Sequence, residues 1–222
     1  MKPWELLGTA STPEGSEITL TKRGGDFLIM ADGRDLMSSR MKGSEQELAR
    51  IGCDRAAKLE APCVLVGGLG MGYTLRATLD TLPPDAVVIV SELMPAVVEW
   101  NQGALGPLAQ HPLQDKRVKV ELGDVYETLR DGKDRFDVIL LDVDNGPRAF
   151  SQHSNGGLYE NGGLEMIKAA LKPAGVLAVW SAWDDRKFEH RLKHHGFSVQ
   201  THHPRARLKQ GGRKHTIFVG RL

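Results

Sequence analysis

The chain has 222 residues, 41% of them apolar and 26% charged, with a formal net charge of +1 and two cysteines, Cys53 and Cys63. That is the mix of a globular chain built as one ordinary domain, or as a domain with a small appendage. It excludes a helix that crosses a membrane, which needs about 18 consecutive apolar residues, and it leaves too few cysteines for a disulfide framework or a four-cysteine zinc site.

Met1 to Ala10 has no apolar core and no small-residue cleavage site, so no secretory leader is expected and the expected setting is the reducing cytoplasm. Ile18 and Leu20 then alternate with threonines, Gly24-Gly25 supplies a turn, and Phe27 to Ala31 is a second apolar run closed by Asp32-Gly33. This predicts a β-hairpin, the body of a small N-terminal domain over residues 1–43. Its exposed edge makes a homodimer the expected assembly. Ser44 followed three residues later by Glu47 reads as a capping box and predicts a helix from about Glu45 to Glu60.

Residues 44–222 form the second expected domain. Five apolar runs follow one another at Val64–Val66, Val87–Val90, Val118–Glu121, Phe136–Leu141 and Gly175–Trp180, with helical stretches between them. Continuous apolar strands joined by helical crossovers predict an α/β, doubly wound, mostly parallel sheet covered on both faces. Two further strands, near Phe197–Thr201 and His215–Gly220, bring the sheet to seven strands as an antiparallel C-terminal hairpin. Charge is uneven along the chain. Arg186 to Leu222 carries +9 and the preceding residues −8, so an anionic partner such as nucleic acid is one reading of the C-terminal segment and a solvated face is the other.

Four motifs carry chemistry. Val64-Leu65-Val66-Gly67-Gly68-Leu69-Gly70-Met71-Gly72 is a strand, a glycine turn and the opening of a helix, which brings free backbone N–H groups close to a ligand. Tyr73 stands where a dinucleotide fingerprint needs its third glycine, which argues against a nicotinamide cofactor. Glu92 closes the second strand, twenty residues after Gly72, where an acid accepts from both hydroxyls of a ribose. Asp124 follows the third strand, placed to receive an adenine amine while the N–H of Val125 reads the ring; it is equally placed to cap the next helix. Asp142 and Asp144 lie beyond the fourth strand, where two carboxylates hold a cationic group or take a proton from a nucleophile. The alternative there is a plain turn through Asn145-Gly146-Pro147. His190 and His194 share a helical face without a third ligand, so no metal is expected.

Together these residues resemble the spermidine synthase family, on the class I S-adenosylmethionine-dependent methyltransferase fold. The resemblance implies that Gly68, Gly70 and Gly72 cradle the methionine-derived part of S-adenosylmethionine or decarboxylated S-adenosylmethionine. It implies that Glu92 holds the ribose and Asp124 the adenine, and that Asp142 is the catalytic-loop aspartate. Gln46, Tyr159, Arg205 and Arg207 fall in segments that shape the acceptor site. The sequence departs from the family where the glycine loop, which there carries an aspartate, reads Gly68-Leu69-Gly70-Met71, where Glu45-Gln46 stands before Glu47 in place of a tyrosine-histidine pair, and where Asn145 stands three residues after Asp142 in place of the second loop aspartate. Arg205, Arg207, Arg213 and Lys214 are read as a rim that repels a polycation. The expected activity is therefore methyl transfer to an unidentified small-molecule acceptor. Aminopropyl transfer to a diamine is the alternative, and a nucleic-acid-binding module a third reading.

Overall fold

The computed structural model describes residues 3–13, 15–143, 147, 157–207 and 211–222. An N-terminal antiparallel sheet runs in the order β1 (Glu5–Ser11), β2 (Glu17–Arg23), β3 (Asp26–Ala31) and β4 (Arg34–Ser38). β2 and β3 are the expected hairpin. β1 and β4 flank it without a clear sequence signal, because Leu6, Leu7 and Leu36 are exposed and no clean alternation of apolar and polar residues marks either strand. The sheet is docked by shape: a Cβ on Gly8 of β1 would lie 2.5 Å from the indole nitrogen of Trp100.

The main sheet has seven strands: β5 (Cys63–Gly67), β6 (Val87–Glu92), β7 (Val118–Leu122), β8 (Phe136–Leu141), β9 (Leu171–Ser181), β10 (Ser198–His202) and, at the end of the chain, β13 (Thr216–Arg221). A short hairpin of β11 (Arg205–Arg207) and β12 (Gly211–Lys214) lies between β10 and β13. The spatial order is β10-β13-β9-β8-β5-β6-β7. The five strands from β5 to β9 pair in parallel, while β13 is antiparallel to both β9 and β10. This is the doubly wound sheet with an antiparallel C-terminal pair that the sequence predicts.

Strand periodicity sorts the core into two layers. Val64, Val66, Val88, Val90, Val138 and Leu140 face one side, under α1 (Gly43–Gly52), α2 (Tyr73–Thr81) and α3 (Pro95–Gln102). Leu65, Ile89, Ile139 and Leu141 face the other, under α4 (Val125–Arg130), α5 (Asn161–Ala170) and α6 (Arg186–His194). A third cluster joins Leu20, Phe27 and Ile29 of the N-terminal sheet to Met71 and Tyr73 beyond the glycine turn, which fixes that sheet over the strand ends.

The helix at Ser44 differs from its prediction. It begins at Gly43, is preceded by Lys42 with no side-chain cap, and ends at Gly52. The Ser44 hydroxyl is buried inside the first turn and bonds the His215 ring, while Glu47 pairs with Arg50. A partner 171 residues away in sequence outcompetes the local capping bond. Gly52 sets how closely α1 approaches the sheet, because a Cβ there would meet Leu140 Cδ2 at 2.4 Å and Ala178 Cβ at 3.1 Å. Gly52→Ala is expected to destabilise the protein by about 1–3 kcal/mol through overpacking. Thermal unfolding reads this as roughly 2–4 °C per kcal/mol; an unchanged midpoint would show that α1 has slack above β8 and β9.

Candidate active site

Three strand ends are joined at the start of the glycine turn. The Asp142 N–H donates to the Gly67 carbonyl at 2.9 Å, and the Gly68 N–H donates to the Ser91 carbonyl at 2.8 Å. Gly68 has φ +87°, and a Cβ on it would lie 2.5 Å from the Asp142 carbonyl oxygen. Only glycine allows β5 and β8 to end this close together. Gly70 has φ +51°, and Met37 Cε of β4 lies 2.7 Å from where its Cβ would stand. The N-terminal sheet therefore occupies the space that a side chain at position 70 would take.

A cavity of about 850 Å³ opens beyond these strand ends, within the size of a small-molecule site. Its floor holds Gly68, Gly70, Glu92, Asp124, Val125 and Asp142. Its roof comes from the N-terminal sheet through Ile18, Ile29 and Met37, and from Ser44 and Glu45 of α1. Trp180 and His215 close one side, with Arg213 of β12 beside them.

Glu92 is 8% exposed, with both oxygens held by backbone: Oε2 accepts from the Leu69 N–H at 2.8 Å and Oε1 from the Met94 N–H at 2.9 Å. Burial raises its pKa and these amides oppose the rise. Each oxygen retains lone pairs for a ligand hydroxyl. Asp124 caps α4, its Oδ1 accepting from the Tyr126 N–H at 2.9 Å, and it also lines the cavity. The two roles read for it from sequence are compatible in one residue.

Asp142 accepts a 2.5 Å hydrogen bond from the Thr74 hydroxyl of α2. Burial still pushes its carboxyl up to about 6. Glu45 is 6% exposed and its pKa is raised well above the usual range, first by burial and then by the charge of Asp142. His215 is lowered by burial and by Arg213, so its ring stays neutral and accepts or donates at Ser44, 2.8 Å away, while packing edge-on against Trp180.

The other candidates stand elsewhere. Gly72 turns toward Asn101 and Pro112 rather than the cavity. Gln46 is half-buried on α1 and is not a lining residue. Tyr159 is a core residue, packed edge-on against Phe188. Arg205 and Arg207 are exposed on β11, outside the lining, and Lys214 borders a separate open hollow with Arg213, Trp183 and His203. The expected rim of four bases thus contributes one, Arg213, to the cavity. Asp144 and Asn145 lie outside the described residues. Sequence reasoning missed Glu45, Met37 and His215 as cavity residues, and Thr74 as the donor to Asp142. Among the described residues no cluster of histidine, cysteine or acidic side chains is placed to hold a metal, and no helix is long and apolar enough to cross a membrane.

Residues 56–193 match the family described as the spermine/spermidine synthase domain. A spermidine synthase of Dictyostelium discoideum is 33% identical over 116 residues, covering 51% of this chain and 38% of that protein. A polyamine aminopropyltransferase of Oceanobacillus iheyensis is 30% identical over 166 residues, covering 73% of this chain and 31% of that protein. A tRNA (guanine-N(7)-)-methyltransferase of Sphingopyxis alaskensis is 32% identical over 111 residues, 49% of this chain and 45% of the other. The matched part thus spans less than half the length of each of these relatives. The crystal structure of the Thermotoga maritima spermidine synthase shares the fold, with a TM-score of 0.75 and 17% identity over 97% of this chain and 72% of that one.

The raised carboxyl of Asp142 makes stability depend on pH. Between about pH 4 and 6 the unfolded chain has lost this proton while the folded chain keeps it, so stability falls as pH rises through that window and levels off above it. A shift of about two units corresponds to roughly 3 kcal/mol. Asp142→Asn is expected to unfold at a higher temperature than the wild type at pH 7.5, with the difference closing by pH 4. Parallel unfolding curves at all pH values would show that the Asp142 carboxyl is not desolvated.

Proposed function

The chain belongs to the spermine/spermidine synthase family, and from that premise we propose that it transfers an aminopropyl group from decarboxylated S-adenosylmethionine to a diamine. The observation that carries this reading is the charge of the cavity. Among the described residues its lining holds five carboxylates, Asp35, Glu45, Glu92, Asp124 and Asp142, against one cation, Arg213. Donor and acceptor of this reaction are both polycations. S-adenosylmethionine adds a carboxylate, which an acidic cavity disfavours; one unit-charge pair about 4 Å apart is worth on the order of 4 kcal/mol at an effective dielectric near 20. The methyl-transfer expectation rested on Arg205, Arg207, Arg213 and Lys214, and three of those four stand off the cavity lining.

The residues present fit the donor. The close approach at Gly68 leaves backbone free to contact it, and Glu92 retains acceptor capacity for ribose hydroxyls. Asp124 and Val125 line the same floor for the adenine. When bound, the donor supplies a sulfonium leaving group, so the protein's work is alignment and proton removal. Asp142, titrating near pH 6 and oriented by Thr74, receives a proton from the acceptor amine. The apolar roof of Ile18, Ile29 and Met37 keeps water from the reacting centre.

Methylthioadenosine formation from decarboxylated S-adenosylmethionine and 1,4-diaminobutane or 1,3-diaminopropane tests the reading. Asp142→Asn should lower kcat by roughly 10²–10⁴-fold, the range of a lost acid–base group. Glu92→Gln should raise the donor KM about tenfold or more, the loss of a charge-assisted hydrogen bond. Turnover of S-adenosylmethionine with none of the decarboxylated donor would return the protein to methyl transfer.

A further inference from the structure

Glu45 is the least explained group in the molecule. It is the third residue of α1, lines the cavity, and is all but shut off from solvent. Its carboxylate is bonded by its own backbone N–H, and among the described residues Oε2 has no hydrogen-bond partner. No lysine or arginine forms an ion pair with it among the described residues. A buried carboxylate without a counter-charge is strongly disfavoured: it takes up a proton or is paired with a cation, and an ammonium entering the cavity would supply that cation. The same cavity holds a second carboxylate, Asp142, close enough for its charge to act on Glu45, with one oxygen taken by Thr74.

We infer that Glu45 and Asp142 form a clamp for one ammonium group of the substrate, sharing a single proton while empty and releasing it when the ammonium binds. This deepens the aminopropyl-transfer reading and rests on it for the identity of the amine. The balance is simple. The empty clamp is one carboxylic acid and one carboxylate; the ammonium enters with its own three N–H donors, the acid proton leaves to solvent, and the filled clamp is two carboxylates around one cation. The chain carries no acid at position 70, in the glycine turn, and Met37 fills that space. Glu45 brings a carboxylate to the same cavity from α1 instead.

Other titratable and charged groups face the clamp. Tyr73, at the start of α2, is pushed up to about 12 by burial and by Glu45. His215, reached through Ser44, is held neutral by burial and by Arg213. Arg213 of β12 and Asp35 line the cavity, and Lys42 sits over the Tyr73 ring. Glu92, on the floor of the same cavity, also has its carboxyl raised by burial, so the comparison with Glu45→Gln is what assigns the released proton to the pair.

The test is calorimetric titration of the intact protein with 1,4-diaminobutane, and separately with decarboxylated S-adenosylmethionine, at pH 6.5 in phosphate and in imidazole buffer. The difference in apparent enthalpy gives the protons released: about one for the wild type and close to none for Glu45→Gln, since the coupled pair titrates as a unit. Affinity should fall about 10- to 100-fold in Glu45→Gln, the cost of losing one charge-assisted hydrogen bond. Glu45→Asp, which keeps the charge on a shorter arm, should recover the proton release. Proton release without any aminopropyl transfer would sink the proposed reaction and leave the clamp standing. Unchanged affinity and proton release in Glu45→Gln overturn the clamp while leaving the reaction untouched. Failure of either amine to bind the wild type also overturns it.

Discussion

The contact on which the site depends is between two backbones. Gly67 and Gly68 at the end of β5 touch the chain leaving β8 at Asp142, so closely that a single methyl group on residue 68 would collide with a carbonyl oxygen. A hydrogen bond from Gly68 to Ser91 draws the end of β6 into the same junction. Once these ends are tied, Glu92 is fixed one residue beyond Ser91, with its carboxylate spanning two backbone amides. Asp142 is fixed with its side chain against Thr74. A parallel sheet leaves its carboxyl-end loops as the natural place for a ligand; here the glycine contact turns that general tendency into a defined set of acceptors.

The roof is added by elements that lie outside the parallel sheet. The N-terminal strands carry Ile18, Ile29 and Met37 over the opening, and α1 adds Ser44 and Glu45. The same elements that exclude water deliver a carboxylate, and these two effects oppose each other energetically. Removing water strengthens attraction to a cationic ligand but disfavours Glu45 and Asp142 when the cavity is empty. Both acids respond with raised pKa values. The empty site is less charged than its residues imply, and a ligand meets a cavity whose charge depends on what it brings. Gly52 limits this arrangement mechanically, since the height of α1 above Leu140 and Ala178 decides how far Glu45 reaches.

Much of this was legible in the residues. The apolar strands, the glycine turn and Glu92 are signals contained within a few consecutive positions, and the alternation of such strands with helices announces a mostly parallel sheet. The misreadings are all non-local. Ser44 and Glu47 satisfy a local capping rule, yet the Ser44 hydroxyl goes to His215, which only the complete sheet brings near. Tyr159 lies in a segment that resembles acceptor-site sequence, but it packs on Phe188 from α6. Glu45 shows no sequence signal beyond occupying a position where the family has another residue, since an acid in the first turn of a helix is ordinary. Its burial depends on elements packed against α1, among them α2, β8 and β9, none of which its neighbours in sequence announce.

The charge argument failed for a related reason. Counting along the chain gives +9 after Arg186, and the count is correct, but it describes a surface. Arg205 and Arg207 point outward from β11, while the buried residue between them, Ala206, faces the protein. Alternation along that short strand puts both guanidinium groups on the solvent side together. The cavity draws its residues from segments spread along the chain from Thr12 to His215, with five acids and one base among them. A chain with a net charge of +1 can therefore hold a strongly acidic cavity, because strand periodicity and helix facing, rather than composition, decide which charges meet. For a site at the ends of parallel strands, the informative charge is that of the residues at and just past each carboxyl end, and here those are Glu92, Asp124 and Asp142.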